Sequence, residues 1–120
     1  MDDVLIERWH TFAEQSVESI AAQYNDKNIE LLTQIVRDGL NESGPLQFDS
    51  PGEFAQYVVD IRTNERAWSR RLGNTILRAQ DQLASGKTVE ARETLSGFSA
   101  TCPWDFFSEI ARTQLENISG

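Results

Sequence analysis

The sequence predicts an all-α protein that folds as a single compact bundle of about five helices over residues 1–120. Apolar residues recur at spacings of three and four along almost the whole chain, which is the period of an amphipathic helix. Residues typical of caps and turns separate these apolar runs. No segment is a credible strand, because the nearest candidate, Tyr57 to Ile61, lies inside a longer helical pattern.

Length and composition favour one packed domain. A chain of 120 residues is near the commonest domain size, and 39% of it is hydrophobic, with three Trp and six Phe. This aromatic content is enough for a packed interior despite the formal net charge of −8. We therefore expect Trp9, Trp68 and Trp104 in or at the edge of one core.

The first helix is predicted over about residues 3–24. Its apolar face follows Leu5, Trp9, Phe12, Ser16, Ile20 and Tyr24. On a helical wheel four acidic residues fall within about 60° of one another beside that face. These residues, which we predict to form one anionic stripe, are Asp3, Glu7, Glu14 and Glu18.

A shorter second helix is predicted over about residues 26–38, with apolar positions at Ile29, Leu32 and Val36. Gly39 has the position and the residue type of a C-terminal cap. Residues 41–50 then read as the clearest loop of the chain.

The third helix is predicted to begin at Ser50, because Ser50 can cap, Pro51 suits the first turn and Glu53 completes a capping box. The same apolar face continues for about 30 residues, so a bend near Thr63 or Gly73 is expected. The pair Ser85 and Gly86 ends this helix.

Two further helices complete the predicted bundle. Thr88 can cap the fourth, and the last opens at Cys102 and Trp104 with Pro103 in its first turn. The stretch from about residue 65 to 100 resembles one helical hairpin of the tetratricopeptide kind. Because no second copy follows at the repeat length of about 34 residues, a plain bundle is the preferred description.

The charge of the chain is concentrated in its first half. Residues 1–60 hold twelve Asp and Glu against three Lys and Arg, while residues 61–120 hold seven against eight. Such asymmetry concerns partners and electrostatic steering rather than fold. We expect a face that meets a basic protein partner, built from Glu7, Glu14, Glu18, Glu42 and Asp49.

The sequence proposes no reaction, so we expect neither an enzyme nor a cofactor or metal site. His10 is the single histidine and Cys102 the single cysteine. A metal ligand or catalytic base would need partners that these residue types cannot supply here. Cys102 precedes a predicted helix start, where a thiol pKa can fall, yet a structural role is the favoured interpretation. The seven glycines match no phosphate-binding motif.

Arginines on the third predicted helix provide the counterpart to the acidic half. Arg62, Arg66 and Arg70 are spaced four residues apart, and Arg71 and Arg78 follow. Such a row could hold phosphates, but a nucleic-acid protein with a pI near 4.5 would repel its own ligand. We therefore expect the arginines to pair with acids of the N-terminal half.

The C-terminal third resembles a known family. Four features carry the resemblance: the run Thr101 to Phe107, the segments Glu109 to Ala111 and Gln114 to Glu116 that follow it, and the preceding helix with Glu90, Leu95 and Phe98. Together they resemble the end of small helical immunity proteins, which are encoded beside bacterial contact-dependent growth-inhibition toxins. The resemblance implies a function without catalysis, in which the protein binds its cognate toxin domain and blocks the toxin's active site. Nuclease toxins are usually basic, so the acidic half fits this function.

Two other hypotheses remain open at this point. The chain could be a helical adaptor or regulatory subunit of another protein, and the inventory of residues makes a small enzyme the least favoured. The acidic N-terminus and the lack of a long apolar run predict a cytoplasmic protein without a membrane segment. The sequence leaves the oligomeric state open.

Overall fold

The computed structural model confirms the all-α fold. It describes residues 3–43 and 46–118, and this part of the chain contains six helices and no strand. The helices are α1 (Asp3–Ala13), α2 (Val17–Ala22), α3 (Asp26–Leu40), α4 (Pro51–Ala84), α5 (Thr88–Thr101) and α6 (Asp105–Glu116).

The single first helix predicted over residues 3–24 is wrong, because the chain leaves the helix after Ala13 and starts a new one at Val17. Ser16 is the N-cap of α2, and its side chain accepts a hydrogen bond from the backbone N–H of Ser19 at 3.2 Å. The side-chain amide of Gln15 turns back to the carbonyl of Phe12 at 3.2 Å. Side-chain bonds of this kind compete with the helical backbone ladder and so favour a break.

Helix α3 begins with Asn25 as N-cap and runs two residues beyond its predicted end. Gly39 was expected as the C-terminal cap, but it lies buried inside the helix, and Asn41 is the cap. Asn41 has a φ of 56°, in the left-handed region that asparagine tolerates better than most residues. The cap is therefore the αL type with asparagine in place of glycine.

Both ends of α4 follow the prediction. The Ser50 side chain accepts from the N–H of Glu53 at 3.1 Å, and the Glu53 carboxylate accepts from the N–H of Asp49 at 2.7 Å. At the other end Gly86 has a φ of 76° and the backbone N–H groups of Gly86 and Lys87 bond to the carbonyls of Leu83 and Gln82. This paired geometry is a Schellman motif. Over the intervening 34 residues the helix is assigned without interruption.

The connections around α5 differ from the prediction. Lys87 is the N-cap of α5 and Thr88 is its first residue, so Thr88 does not cap. Cys102 is the C-cap of α5, Trp104 is the N-cap of α6, and Pro103 lies between the two helices instead of in the first turn of α6. Proline disfavours the helical conformation of the residue before it, which explains why α5 stops there.

The chain divides into two compact units, an N-terminal unit of Met1–Glu65 and a C-terminal unit of Arg66–Gly120. In the N-terminal unit Phe54 is fully buried, and rings packed around it form an aromatic core. The rings of Phe12, Tyr24 and Phe48 have their centroids 5.1 to 6.1 Å from the centroid of Phe54.

The C-terminal unit is built on the apolar face that continues along α4. Leu72 packs with Phe98 and Ala111, and Ala79 packs with Ala91 and Leu95. Trp9 in the N-terminal unit and Trp104 in the C-terminal unit are buried, while Trp68 is half-buried at the edge of the Leu72 cluster. Ile110 also lies at this edge. The tryptophans are thus shared between two units, whereas one core was predicted.

None of the described helices combines the length and the apolar character needed to cross a bilayer.

Candidate functional site

A buried carboxylate, Glu65, organises the polar side chains of the N-terminal unit. The residue is only 7% exposed. Its Oε1 accepts hydrogen bonds from Nε1 of Trp9 at 2.9 Å and from a terminal nitrogen of Arg62 at 2.8 Å. Nε2 of His10 lies 3.2 Å from its Oε2. The negative charge is thus compensated on both oxygens, as burial of a carboxylate requires.

Arg62 links this buried acid to one of the predicted binding residues. Its second terminal nitrogen lies 3.1 Å from the Glu14 carboxylate, which is half-exposed, while the Arg62 side chain is 14% exposed. The Nε of Arg62 is buried without a hydrogen-bond partner in the described part of the chain. The guanidinium group therefore bridges α4 to the end of α1, which is the role predicted for the arginine row.

The other arginines of the row do not all share that role. Arg71 stacks on Trp68 with its guanidinium carbon 4.6 Å from the ring centroid. Among the residues that the structure describes, Arg70 and Arg78 form no ion pair with a carboxylate. Arg71 forms none with these residues either, so the expectation that the row pairs with N-terminal acids is wrong for Arg70, Arg71 and Arg78.

The side chains of His10 and Cys102 contact neighbouring residues of the fold. His10 belongs to the Glu65 network. The Cys102 thiol lies 3.6 Å from the carbonyl of Trp104, and burial raises its pKa above the usual value, although hydrogen bonds from its neighbours act in the opposite direction. Because Cys102 ends a helix instead of starting one, the lowered pKa considered from the sequence is not found.

The loop acid Glu42 lies close to the aromatic side chain of Tyr57. Burial raises the pKa of Tyr57, and the negative charge of Glu42 adds to the shift. Phe48, directly before Asp49, packs edge-on against Tyr57 with centroids 5.4 Å apart. Both acids are exposed. Of these two predicted binding residues, only Glu42 acts on Tyr57.

Glu7 lies in a different setting, an open groove of about 460 Å³ between α1 and α3. Basic side chains of Arg8 and Lys27 line the same groove. Glu18 is exposed in the first turn of α2, where a negative charge complements the helix dipole.

The predicted single anionic stripe is not realised. Its geometry assumed one continuous helix, and the break at residues 14–16 separates Glu7 on α1 from Glu18 on α2. Glu14 falls in the break and is bound by Arg62. Wheel positions cannot be compared across such a break, so the acids form an exposed set and not a stripe.

The exposed set is nonetheless large, and the excess of acidic over basic residues lies in one unit. Residues 1–65 contain thirteen Asp and Glu against four Lys and Arg, whereas residues 66–120 contain six against seven. The change of charge therefore coincides with the boundary between the two units. In the N-terminal unit, seven exposed acids have no side-chain hydrogen bond or ion pair with any described residue: Asp3, Glu7, Glu18, Asp26, Glu30, Glu42 and Asp49. We call these seven residues the acidic surface.

Two important residues were missed at the sequence level, Glu65 and Phe48. Glu65 stands four residues after Ile61 and three before Trp68, so the spacing itself put it on the apolar face of α4. An acid on such a face signals a buried ion pair. Phe48 lies in the predicted loop, where no periodicity marks a core residue.

Within the described ranges, no three His, Cys, Asp or Glu side chains cluster as a metal site would require. Comparison of the chain with protein-family models, with curated proteins and with solved structures gave no match. The resemblances to immunity proteins and to a tetratricopeptide hairpin therefore stay predictions.

Proposed function

We propose that this protein is a non-catalytic binding protein whose acidic surface engages a basic protein domain. The observation that carries the proposal is the use of its carboxylates. Glu65 and Glu14 form ion pairs within the protein. The seven residues of the acidic surface stay exposed, on a unit with a net charge of −9. An excess of charge of one sign on one unit steers an oppositely charged partner during encounter.

The resemblance of the C-terminal third to immunity proteins gives this proposal its specific form. The partner is a basic, nuclease-type toxin domain of a contact-dependent growth-inhibition system, and binding blocks the toxin's active site. In this form the protein acts in the bacterial cytoplasm, where an immunity protein meets its toxin. A helical adaptor or regulatory subunit is the alternative that uses the same surface.

Co-purification with the product of the neighbouring gene separates these two functions. For an immunity protein, an upstream reading frame should end in a basic toxin domain, and the two products should co-elute from a sizing column. Co-elution that also suppresses the toxin's activity supports the proposal. A neighbouring toxin that remains free and active in the presence of this protein contradicts it.

The location of the interface requires a charge-reversal comparison. A Glu7→Lys, Glu18→Lys double variant tests the helical acids, and a Glu42→Lys, Asp49→Lys double variant tests the loop acids. Glu93→Lys with Glu116→Lys is the matched control, because it makes the same change in net charge at exposed positions of the C-terminal unit. Glu14 is left intact, since its replacement would disturb Arg62.

We expect the first two variants to associate more slowly than the control at low salt, with the difference shrinking as salt rises. Surface plasmon resonance over a series of NaCl concentrations measures both rates. Equal slowing in all three variants would show that only net charge matters. Unchanged rates in both acidic-surface variants would place the interface outside this surface.

A further inference from the structure

The C-terminal unit contains an open groove of about 400 Å³ between α4 and α5. Its α4 side is formed by Arg71, Asn74, Thr75 and Arg78, with Trp68 at one end. No carboxylate of the described residues lines it, although the chain has nineteen acidic residues against eleven basic ones. The groove is therefore a cationic site on an acidic protein.

The two guanidinium groups in the groove are available to a ligand. Arg71 and Arg78 are seven residues apart, which corresponds to two helical turns and about 10 Å along α4. Within the described residues neither forms an ion pair with a carboxylate. Stacking on Trp68 holds the Arg71 guanidinium at 4.6 Å from the ring centroid and leaves its N–H donors free to bind an anion.

The α5 side of the groove contributes to its shape but offers a ligand no free side-chain hydrogen-bond donor. The hydroxyl groups of Thr94 and Thr101 already donate to Oε1 of Gln82 and to the carbonyl of Gly97. Between them, Gly97 exposes bare backbone, and Phe98 contributes an aromatic ring beside Trp68. A ligand that is held by the arginines can thus lie directly on α5.

Nothing within the protein requires glycine at position 97. A Cβ at this position would meet no atom within 4 Å, and the backbone is helical. Glycine is less favourable than alanine in a helix interior, so its use here removes bulk where a ligand approaches. Gly73 in α4 is equally unobstructed but does not line the groove, which makes it a natural control.

We propose that this groove binds an acidic segment of a protein, with two carboxylates about 10 Å apart placed on Arg71 and Arg78. Charge complementarity selects the occupant. Two discrete carboxylates match two guanidinium groups and bring only two negative charges, whereas a nucleic acid carries a charge on every phosphate and so meets more repulsion from a chain with net charge −8. The proposal depends only on the C-terminal unit and is independent of the function proposed for the acidic surface.

The test uses three probes on the full chain: a Gly/Ser decapeptide with two glutamates three residues apart, about 10 Å in an extended chain and called the glutamate peptide, the same decapeptide without glutamate, and a decathymidylate oligonucleotide. Binding is followed by the indole N–H signals of the three tryptophans in ¹⁵N-edited NMR spectra, with Trp68 assigned through Trp68→Phe. Two variants add the same charge at two glycines, Gly97→Glu inside the groove and Gly73→Glu outside it. Circular dichroism checks that both variants keep their helix content.

We expect the glutamate peptide to shift the Trp68 signal saturably and to leave the Trp9 signal unchanged. Gly97→Glu should weaken this binding about tenfold or more, because its carboxylate occupies the arginines, while Gly73→Glu should change it by no more than about twofold. Absence of a saturable shift at millimolar peptide, equal loss in the two variants, or preferential binding of either other probe would overturn the proposal.

Discussion

At the level of single residues, Glu65 shows how one buried charge fixes its surroundings. Trp9 and Arg62 donate hydrogen bonds to one of its carboxylate oxygens, and Nε2 of His10 lies within hydrogen-bonding distance of the other. These three residues come from α1 and α4. Removing one partner of a buried ion pair leaves the other charge desolvated, and this costs far more than loss of an exposed pair. The two carboxylates bound by Arg62 provide a direct comparison, since Glu65 is buried and Glu14 is half-exposed.

Glu65→Ala should lower the free energy of unfolding by about 3–5 kcal/mol, because Arg62 and the Trp9 indole N–H lose their buried acceptor. Glu14→Ala should lower it by at most about 1 kcal/mol, since the pair is partly solvated. Urea unfolding followed by circular dichroism measures both. Similar losses in the two variants would contradict the assigned importance of Glu65.

The Cys102 thiol should be unreactive. Because burial raises its pKa, the thiolate is scarcer in the folded protein than in the unfolded chain at the same pH. Stability linked to this group is fully present below the unfolded pKa and declines as the pH rises towards the folded pKa. Alkylation by iodoacetamide at pH 8 should therefore be slower in buffer than in urea.

Replacement of the thiol offers the complementary measurement. Cys102→Ser should leave the free energy of unfolding within about 1 kcal/mol, because a hydroxyl can also donate to the Trp104 carbonyl. Alkylation that is faster in the folded protein than in urea would instead indicate an activated thiol.

At the level of elements, the sequence predicted helix type well and helix ends unevenly. Ser50 and Gly86 carry strong local chemistry, a capping hydroxyl and a residue free to adopt positive φ, and both ends of α4 agree. The break before α2 was missed because Ser16 fits the apolar spacing as well as it fits an N-cap. Periodicity alone cannot separate these two roles when the next helix continues the same phase.

The two types of exposed glycine should respond oppositely to alanine. Gly86→Ala should cost about 1–2 kcal/mol, because its φ of 76° is strained for any residue with a Cβ. Gly73→Ala should stabilise the protein by about 0.5–1 kcal/mol, since the added methyl meets nothing and helix propensity improves. Urea midpoints at an unchanged slope measure the two effects, and a shift in the same direction for both would contradict the cap.

At the level of the whole molecule, the sequence predicted the charge asymmetry but not its structural boundary. Charge can be counted along the chain, whereas the boundary at Glu65 and Arg66 depends on which residues contact one another. The candidate site was only partly predictable for the same reason. Four predicted residues are exposed, as solvated acids should be: Glu7, Glu18, Glu42 and Asp49. The ion pair between Arg62 and Glu14, by contrast, joins residues 48 positions apart, which no local pattern predicts.

The acidic surface should make the stability of the protein depend on salt. Folding brings the carboxylates of the N-terminal unit closer together than they are in the unfolded chain, and their mutual repulsion opposes the compact state. Raising NaCl shortens the Debye length from about 30 Å at 0.01 M to about 8 Å at 0.15 M. We therefore expect the free energy of unfolding, measured with urea, to rise over this range of salt.

A neutralised variant identifies the charges responsible. Replacing Glu7, Glu18 and Glu42 by glutamine removes three charges from the acidic surface and should reduce the salt-dependent gain, because less repulsion remains to be screened. Replacing Asp81 by asparagine and Glu93 and Glu116 by glutamine is the matched control, since it removes three exposed charges without an ion pair among the described residues from a unit whose net charge is near zero. This control should keep the full gain. An equal reduction in both variants would mean that the repulsion is spread over the whole chain, and a stability that falls with salt would mean that attractive ion pairs such as Arg62 with Glu14 outweigh it.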